Sequence, residues 1–356
     1  MYPKQNSTGI SFIRLKYGIL TVLAGLFCSF SLADNKEDEQ RFQISGYAQG
    51  TTYQINYYSS SEAISKQTID LILAGIDSSM SIYKSYSQIS QFNNSEEGIL
   101  IDHKFRTVIE KSLQIFHDTK GLFDITVGPL VAAWGFGTKN INSYPDSAKI
   151  ASIKACVGTN FLELNGNFLR KKKPCVNIDV NGIAQGYSVD VVADYLLKQG
   201  IKHFVVEIGG ELRIHGKKPD GSLMRIGIEG PANDDDEPII KHIVGLSSGA
   251  ITTSGNYRKF RKNGSTKITH LIDPRTGYPL ANELISVTLF AQDAITADGY
   301  DNAVMAMHLE EALQFVDRHP SLEAYIIYHD KKGNVADTMT NGFRQLLIKE
   351  DIGHKI

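Results

Sequence analysis

Residues 285–329, ISVTLFAQDAITADGYDNAVMAMHLEEALQFVDRHPSLEAYIIYH, pass through two hydrophobic periodicities in turn. Residues 285–291 and 324–329 are short apolar runs rich in β-branched and aromatic side chains, which is how sheet strands read. Residues 298–316 between them space their apolar side chains at helical intervals. The stretch predicts strand, helix, strand, with the helix packed among sheet strands.

Working outward, residues 203–207, 224–228 and 268–273 are further strand candidates, and residues 186–199 read as a helix closed by Gly200. Residues 161–180 read as a hairpin turning at Asn165-Gly166-Asn167, and residues 41–58 as a strand pair turning near Gln49-Gly50. Residues 63–83 carry Ile69, Leu71, Ile72, Ile76 and Met80 at helical spacing. Residues 105–120 repeat that pattern with Val108, Ile109, Leu113, Ile115 and Phe116, and Gly121 ends it. Strands and helices interleave without regular alternation or repeat, so the expected class is α+β, mixed sheets with packed helices.

Composition narrows the function. At 42% apolar and 21% charged, the 356 residues are too hydrophobic for a disordered chain, and three cysteines are too few for a disulfide scaffold. With 37 Lys+Arg against 39 Asp+Glu, nothing electrostatic favours nucleic acid. The length suits one large domain or two modest ones.

The first 33 residues read as an export signal. Lys4, Arg14 and Lys16 precede an apolar run over residues 17–30, and Ser31-Leu32-Ala33 offers a cleavage site after Ala33. The run is shorter than the roughly 20 apolar residues that span a bilayer, although retention as an N-terminal anchor is the alternative. Cys28 invites lipidation, but the bulky Phe27 before it argues against that. Residues 34–42 begin as a polar tether (DNKEDEQ), ahead of a domain over residues 43–350. Cys156 and Cys175 would remain after cleavage, flanking the hairpin, and the sequence leaves their pairing open. Residues 233–237 (NDDDE) read as a solvated loop, because consecutive carboxylates repel and rarely converge on a cation.

Three constellations carry chemistry. Residues 179–187 (DVNGIAQGY) run from a strand into a helix, so open N–H groups at the helix start make either a phosphate cradle or a plain turn. Asp298, Asp301 and Asn302 share one helical face at i, i+3 and i+4. Their oxygens suit a hard cation, Mg²⁺ or Ca²⁺; the plainer reading is an acidic first turn facing the helix dipole. His270, at a strand end before the Pro274-Arg275-Thr276-Gly277 turn, is either a general base or a structural imidazole.

Together with residues 81–93 (SIYKSYSQISQFN), 121–130 (GLFDITVGPL), 134–137 (WGFG), 208–216 (IGGELRIHG), 253–255 (TSG), 270–279 (HLIDPRTGYP) and 297–305 (ADGYDNAVM), these segments resemble the ApbE family of FAD:protein FMN transferases. The resemblance runs in unbroken order from about residue 43 to 350 and implies a single, T-fold-related flavin-transferase domain. It implies that FAD is split at its pyrophosphate, FMN passing to a Thr or Ser hydroxyl of a target flavoprotein while AMP leaves. It places Mg²⁺ on the Gly182 carbonyl, Asp298, Asp301 and Asn302, with His270 as base and Asp298 also catalytic. It places flavin-nucleotide contacts at Gln49, Tyr83, Leu122, Phe123, Asp124, Asp179, Gln185 and Ile272, the Tyr83 ring offering a stacking face. The partners it implies are acceptor flavoprotein subunits of membrane respiratory complexes, served from the periplasm or from an anchor on the inner membrane.

Departures from the family pattern are Asn302 for a usual Thr, Gln185 for a usual Lys or Glu, and Gln49 for a common Met. Residues 247–252 (SSGAIT) resemble an acceptor pattern that Ile251 breaks, so self-modification is not expected. Two rival functions use the same residues: a Mg²⁺-dependent FAD pyrophosphatase and a periplasmic FAD-binding protein without turnover.

Overall fold

The computed structural model describes residues 39–137, 141–231, 239–256, 260–263 and 266–348. The expected signal segment (1–33, with Cys28), residues 34–38 of the tether, the acidic loop 233–237 and residues 349–350 at the end of the expected domain lie outside them.

The chain opens with the hairpin β1 (Gln40–Ala48) and β2 (Thr51–Ser59), followed by α1 (Lys66–Met80), α2 (Gln88–Asn94), β3 (Gly98–Leu100) and α3 (His103–Asp118). Next come α4 (Gly128–Ala133), α5 (Ser147–Lys154), β4 (Leu162–Asn165), β5 (Phe168–Lys171) and α6 (Ala184–Lys198). A run of strands follows: β6 (Phe204–Ile208), β7 (Glu211–His215), β8 (Met224–Gly230), β9 (Ile239–Leu246), β10 (Ser248–Gly255), β11 (Phe260–Asn263), β12 (Thr266–Thr269) and β13 (Leu284–Ala291). The described chain ends with α7 (Ala294–Met305), α8 (Leu309–Asp317), β14 (Glu323–His329), β15 (Val335–Met339) and α9 (Asn341–Leu346).

Eight strands form one sheet in the order β1-β2-β6-β7-β10-β13-β14-β15. Its pairs are antiparallel throughout. Both faces of its centre are buried, which explains why residues 285–291 and 324–329 read as continuous apolar runs. Along β14, Ala324 and Ile326 enter the large core beneath the helices, while Tyr325 and Ile327 enter a second core with β8, β9 and Phe343 of α9. The same alternation sends Ala250 of β10 to the first core and Ile251 to the second.

The β1–β2 hairpin turns at Gln49-Gly50 as expected, with φ of +54° and +79°. Two left-handed residues match the twist of a two-residue hairpin, but Gln49 has a side chain that disfavours that conformation. The helices around residues 63–83, 105–120 and 186–199 form as α1, α3 and α6.

Three expectations are corrected. The hairpin over 161–180 stops at Lys171, and residues 172–180 run without strand structure; Pro174 lacks the N–H a ladder needs. The helix over 298–316 is two helices, because Asn282 Nδ2 donates to the carbonyls of Met305 and Met307, both at 2.7 Å, and closes α7. The strand over 268–273 ends at Thr269, and Ile272 re-enters pairing only as a single bridge to Pro279. Among the described residues no helix is long and apolar enough to cross a membrane.

Cys156 and Cys175 are joined, with Cα atoms 5.6 Å apart. The bond ties the end of α5 to the segment that leads into residues 179–187. Removing it frees a loop of 19 residues in sequence, which is worth about 3 kcal/mol through the unfolded state. A Cys156→Ser/Cys175→Ser protein is therefore expected to unfold at clearly lower urea concentration, with an equal or steeper slope because its unfolded chain is less compact. Coincident transitions for wild type and variant would refute this.

Candidate functional site

The site is organised where the start of α6 meets α7. Gly186 of α6 has no room for a side chain: a Cβ there would lie 2.3 Å from the Ala294 carbonyl oxygen. That close approach lets the Gly186 N–H donate to Asp298 Oδ2 at 2.8 Å. One turn further along α6, the Asp190 carboxylate accepts from the Ala294 and Ile295 N–H groups at 2.9 and 2.8 Å. It also accepts from Arg213 Nη1 of β7 at 2.7 Å. Asp293 caps the same helix by accepting from Thr296 N–H at 2.9 Å. These groups satisfy orphan N–H donors at the N-terminus of α7 and set its position against α6.

Asp298 lies inside α7 rather than in its first turn, so the plain dipole reading does not hold. Asp298 and Asp301 are 4% and 2% exposed. Thr252 of β10 donates to Asp301 Oδ2 at 2.6 Å, and Ser254 donates to Asn302 Oδ1 at 3.3 Å. Asn302 Nδ2 donates to three oxygens: Asp301 Oδ1 at 3.0 Å, the Asp298 carbonyl at 3.0 Å and the Gly182 carbonyl at 3.3 Å. The structure thus gathers the Gly182 and Asp298 carbonyls and the Asp301 carboxylate around the Asn302 amide, with the Asp298 side chain held next to them by the Gly186 N–H. An amide N–H₂ at their centre marks a place that favours positive charge.

Burial dominates the electrostatics. It pushes the Asp298 carboxyl up to about 7, with the nearby Asp190 charge adding and the Gly186 N–H opposing. Burial also raises Asp301 well above the usual carboxylate range, helped by Asp298. Carboxylates buried without a counter-charge favour the neutral form. The donor set is entirely oxygen and fits a hard divalent cation, Mg²⁺ above all. Among the described residues no three His, Cys, Asp or Glu side chains converge as a metal cluster, so two carboxylates and neutral oxygens would make up the ligand set.

The sign of the pH effect follows. Between its ordinary value and about 7, folded Asp298 holds a proton that the unfolded chain has released. Stability of the metal-free protein should therefore fall as pH rises across that window and stay low above it. Added Mg²⁺ should restore it most at pH 8. Melting curves at pH 5 and 8, with and without Mg²⁺, check this; equal Mg²⁺ stabilisation at both would contradict it.

Of the two readings of residues 179–187, phosphate cradle or plain turn, the bonded N–H groups favour the turn. The Ile183 and Ala184 N–H groups donate to the Val180 carbonyl, that of Asn181 to Asp179 Oδ1, and that of Gly186 to Asp298. The remaining candidates form a rim. A Cβ on Gly182 would stand 3.7 Å from Phe123 Cε2, so Phe123 lies beside the acidic cluster with its neighbour Leu122. The Asp124 carboxylate is engaged by the N–H and hydroxyl groups of Thr126 and Thr159 at 2.6–3.1 Å, and so builds its loop. Asp179 is tied to that loop through its N–H and the Ile125 carbonyl at 2.7 Å, and burial raises its carboxyl.

Gln185 Nε2 donates to the Ile208 carbonyl at 2.8 Å, above Gly209, where any Cβ would overlap the amide. The left-handed Gln49 reaches Ser188 of α6 at 2.9 Å. Tyr83 is 68% exposed between α1 and α2 and offers a bare ring. His270 and Ile272 belong to a different neighbourhood. The His270 ring sits edge-on to Phe136 with centroids 6.2 Å apart, and Ile272 packs with Leu130, Trp134 and Ile150. Trp134 Nε1 donates to the Gly277 carbonyl at 2.8 Å and holds their loop.

Sequence reasoning missed Asp190 and Thr252. Thr253-Ser254-Gly255 and IGGELRIHG were visible as segments, but which side chains face α7 depends on strand register.

The comparisons with known proteins concern sequence and fold. The ApbE family model matches residues 49–326. An FAD:protein FMN transferase of Vibrio cholerae is 36% identical over 301 residues, covering 83% of this chain and 89% of the relative. One of Haemophilus influenzae is 33% identical over 346 residues, covering 94% and 98%. The solved flavin transferase ApbE from Vibrio cholerae superposes with a TM-score of 0.78 at 34% identity, covering 87% of this chain and all of that one. The Pseudomonas stutzeri flavinyl transferase ApbE gives 0.78 at 31% identity, covering 86% and 97%. Sequence and fold agree, and the chain belongs to the ApbE family.

Proposed function

We propose that this protein is an FAD:protein FMN transferase dependent on Mg²⁺. The observation that carries the reading is the clustering of Gly182, Asp298, Asp301 and Asn302 at the α6–α7 junction. Its relatives in Vibrio cholerae and Haemophilus influenzae carry that activity in their names. A bound divalent cation would neutralise the diphosphate of FAD as charge develops during its cleavage.

The chain's own residues do the rest. Asp298, Asp301 and the Gly182 carbonyl would hold the ion, with Asn302 presenting its amide oxygen in place of the Nδ2 that faces these oxygens in the metal-free chain. Phe123, Leu122, Gln185 and the exposed Tyr83 ring contact the nucleotide, with Gln49, Asp124, Asp179 and Ile272 completing its rim. A hydroxyl of the acceptor protein attacks the FMN phosphorus, the P–O–P bond breaks, AMP leaves, and the hydroxyl proton passes to His270. The target is an acceptor flavoprotein subunit of a membrane respiratory complex. The Cys156–Cys175 bond supports an oxidising compartment, hence export through residues 1–33 and action in the periplasm or at the inner membrane.

The test mixes purified protein with FAD, Mg²⁺ and a Thr-bearing acceptor domain. One FMN of added mass on the acceptor, with AMP released, is the expected result. AMP without acceptor modification would make the protein an FAD pyrophosphatase, and neither product would make it a flavin-binding protein.

A further inference from the structure

We infer that Glu211 is a further residue of the cation site, accepting a hydrogen bond from a water of the bound ion rather than touching the ion itself. This rests on the cation reading above. Register places it. Leu212 of β7 pairs with Ile251 of β10, and Arg213 with Ala250. Leu212, Ile214 and Ile251 face the second core, whereas Ala250 faces the helices and Arg213 reaches Asp190 of α6. Side chains alternate along a strand, so Glu211 shares the helix-covered face with Arg213. One step beyond the Ile251–Leu212 pair on β10 is Thr252, whose hydroxyl donates to Asp301. Glu211 therefore lies beside the acid pair of α7.

Its Oε2 is buried and has no hydrogen-bond partner. The nearby donors are occupied: the Gly210 N–H by Glu207 Oε1 at 2.8 Å, and Arg213 Nη1 by Asp190 at 2.7 Å and Asp194 at 3.5 Å. The charged side chains that act on it, Asp298, Asp301 and Glu207, are all acidic. A buried carboxyl oxygen without a donor, set among acids, is satisfied when a hydrogen-bond donor such as an ion-bound water arrives. Three acidic side chains do not converge here as direct ligands. Mg²⁺ keeps several waters when protein-bound, and groups that hold such waters tune affinity about 10–100-fold.

The full chain, stripped of metal and FAD, is titrated with Mn²⁺ while free Mn²⁺ is read by electron paramagnetic resonance. Wild type should bind, and Glu211→Gln and Glu211→Ala should bind about 10–100-fold more weakly at the same stoichiometry. Their metal-free melting temperatures should equal or exceed that of wild type, because the orphaned Oε2 makes no hydrogen bond for the substitution to remove. Equal Mn²⁺ affinity in both variants overturns the inference. So does a metal-free loss of stability or folding in both, which would make Glu211 structural. Absence of Mn²⁺ binding in wild type overturns the cation reading itself.

Discussion

Asp298→Ala is expected to lose FMN transfer by at least about 10²-fold, the scale seen when one preorganised electrostatic contact to a developing charge is removed. Asp298 is chosen because α6 and α7 both converge on it: the Gly186 N–H holds Oδ2 at 2.8 Å, and its own backbone carbonyl takes the Asn302 amide at 3.0 Å. Alanine removes a charged ligand and also strands the buried Gly186 N–H, which costs about 1–3 kcal/mol. Asp298→Asn separates the two effects, since the amide oxygen still accepts from Gly186 while the charge is gone. Both variants should lose transfer, read as FMN mass on the acceptor together with AMP release, and only alanine should lose much thermal stability. Unchanged transfer in either would sink the assignment of Asp298 to the ion.

His270→Ala should separate binding from chemistry. The imidazole is half-buried and edge-on to Phe136. Its removal should leave FAD affinity within about twofold and slow transfer about 10²- to 10⁴-fold, the usual range for a lost general base. Flavin fluorescence measures the first and single-turnover AMP release the second. FAD binding that weakens in parallel with transfer would make His270 a binding or structural residue.

Much of this architecture was legible residue by residue. The Gln49-Gly50 turn, the closure of α6 at Gly200 and the strand character of residues 285–291 depend on neighbours within a few positions, where backbone preference and apolar spacing decide. The break between α7 and α8 was not legible, because the amide that makes it belongs to Asn282, over 20 positions away in the chain. The choice between cradle and turn at residues 179–187 was left open for a similar reason. Its N–H groups look free in one dimension but are bonded to Val180 and Asp298.

The sequence by itself determined the α+β class, the family likeness and the trio Asp298, Asp301 and Asn302, because helical spacing is a local property that puts i, i+3 and i+4 on one face. Only the tertiary structure decided what that face meets. The Gly182 carbonyl comes from a loop about 120 positions earlier, Thr252 and Glu211 arrive through strand register, and Asp190 caps α7 from a neighbouring helix. Each of those contacts joins segments far apart in the chain, so it exists only once the sheet is in register and Gly186 lets the two helices approach.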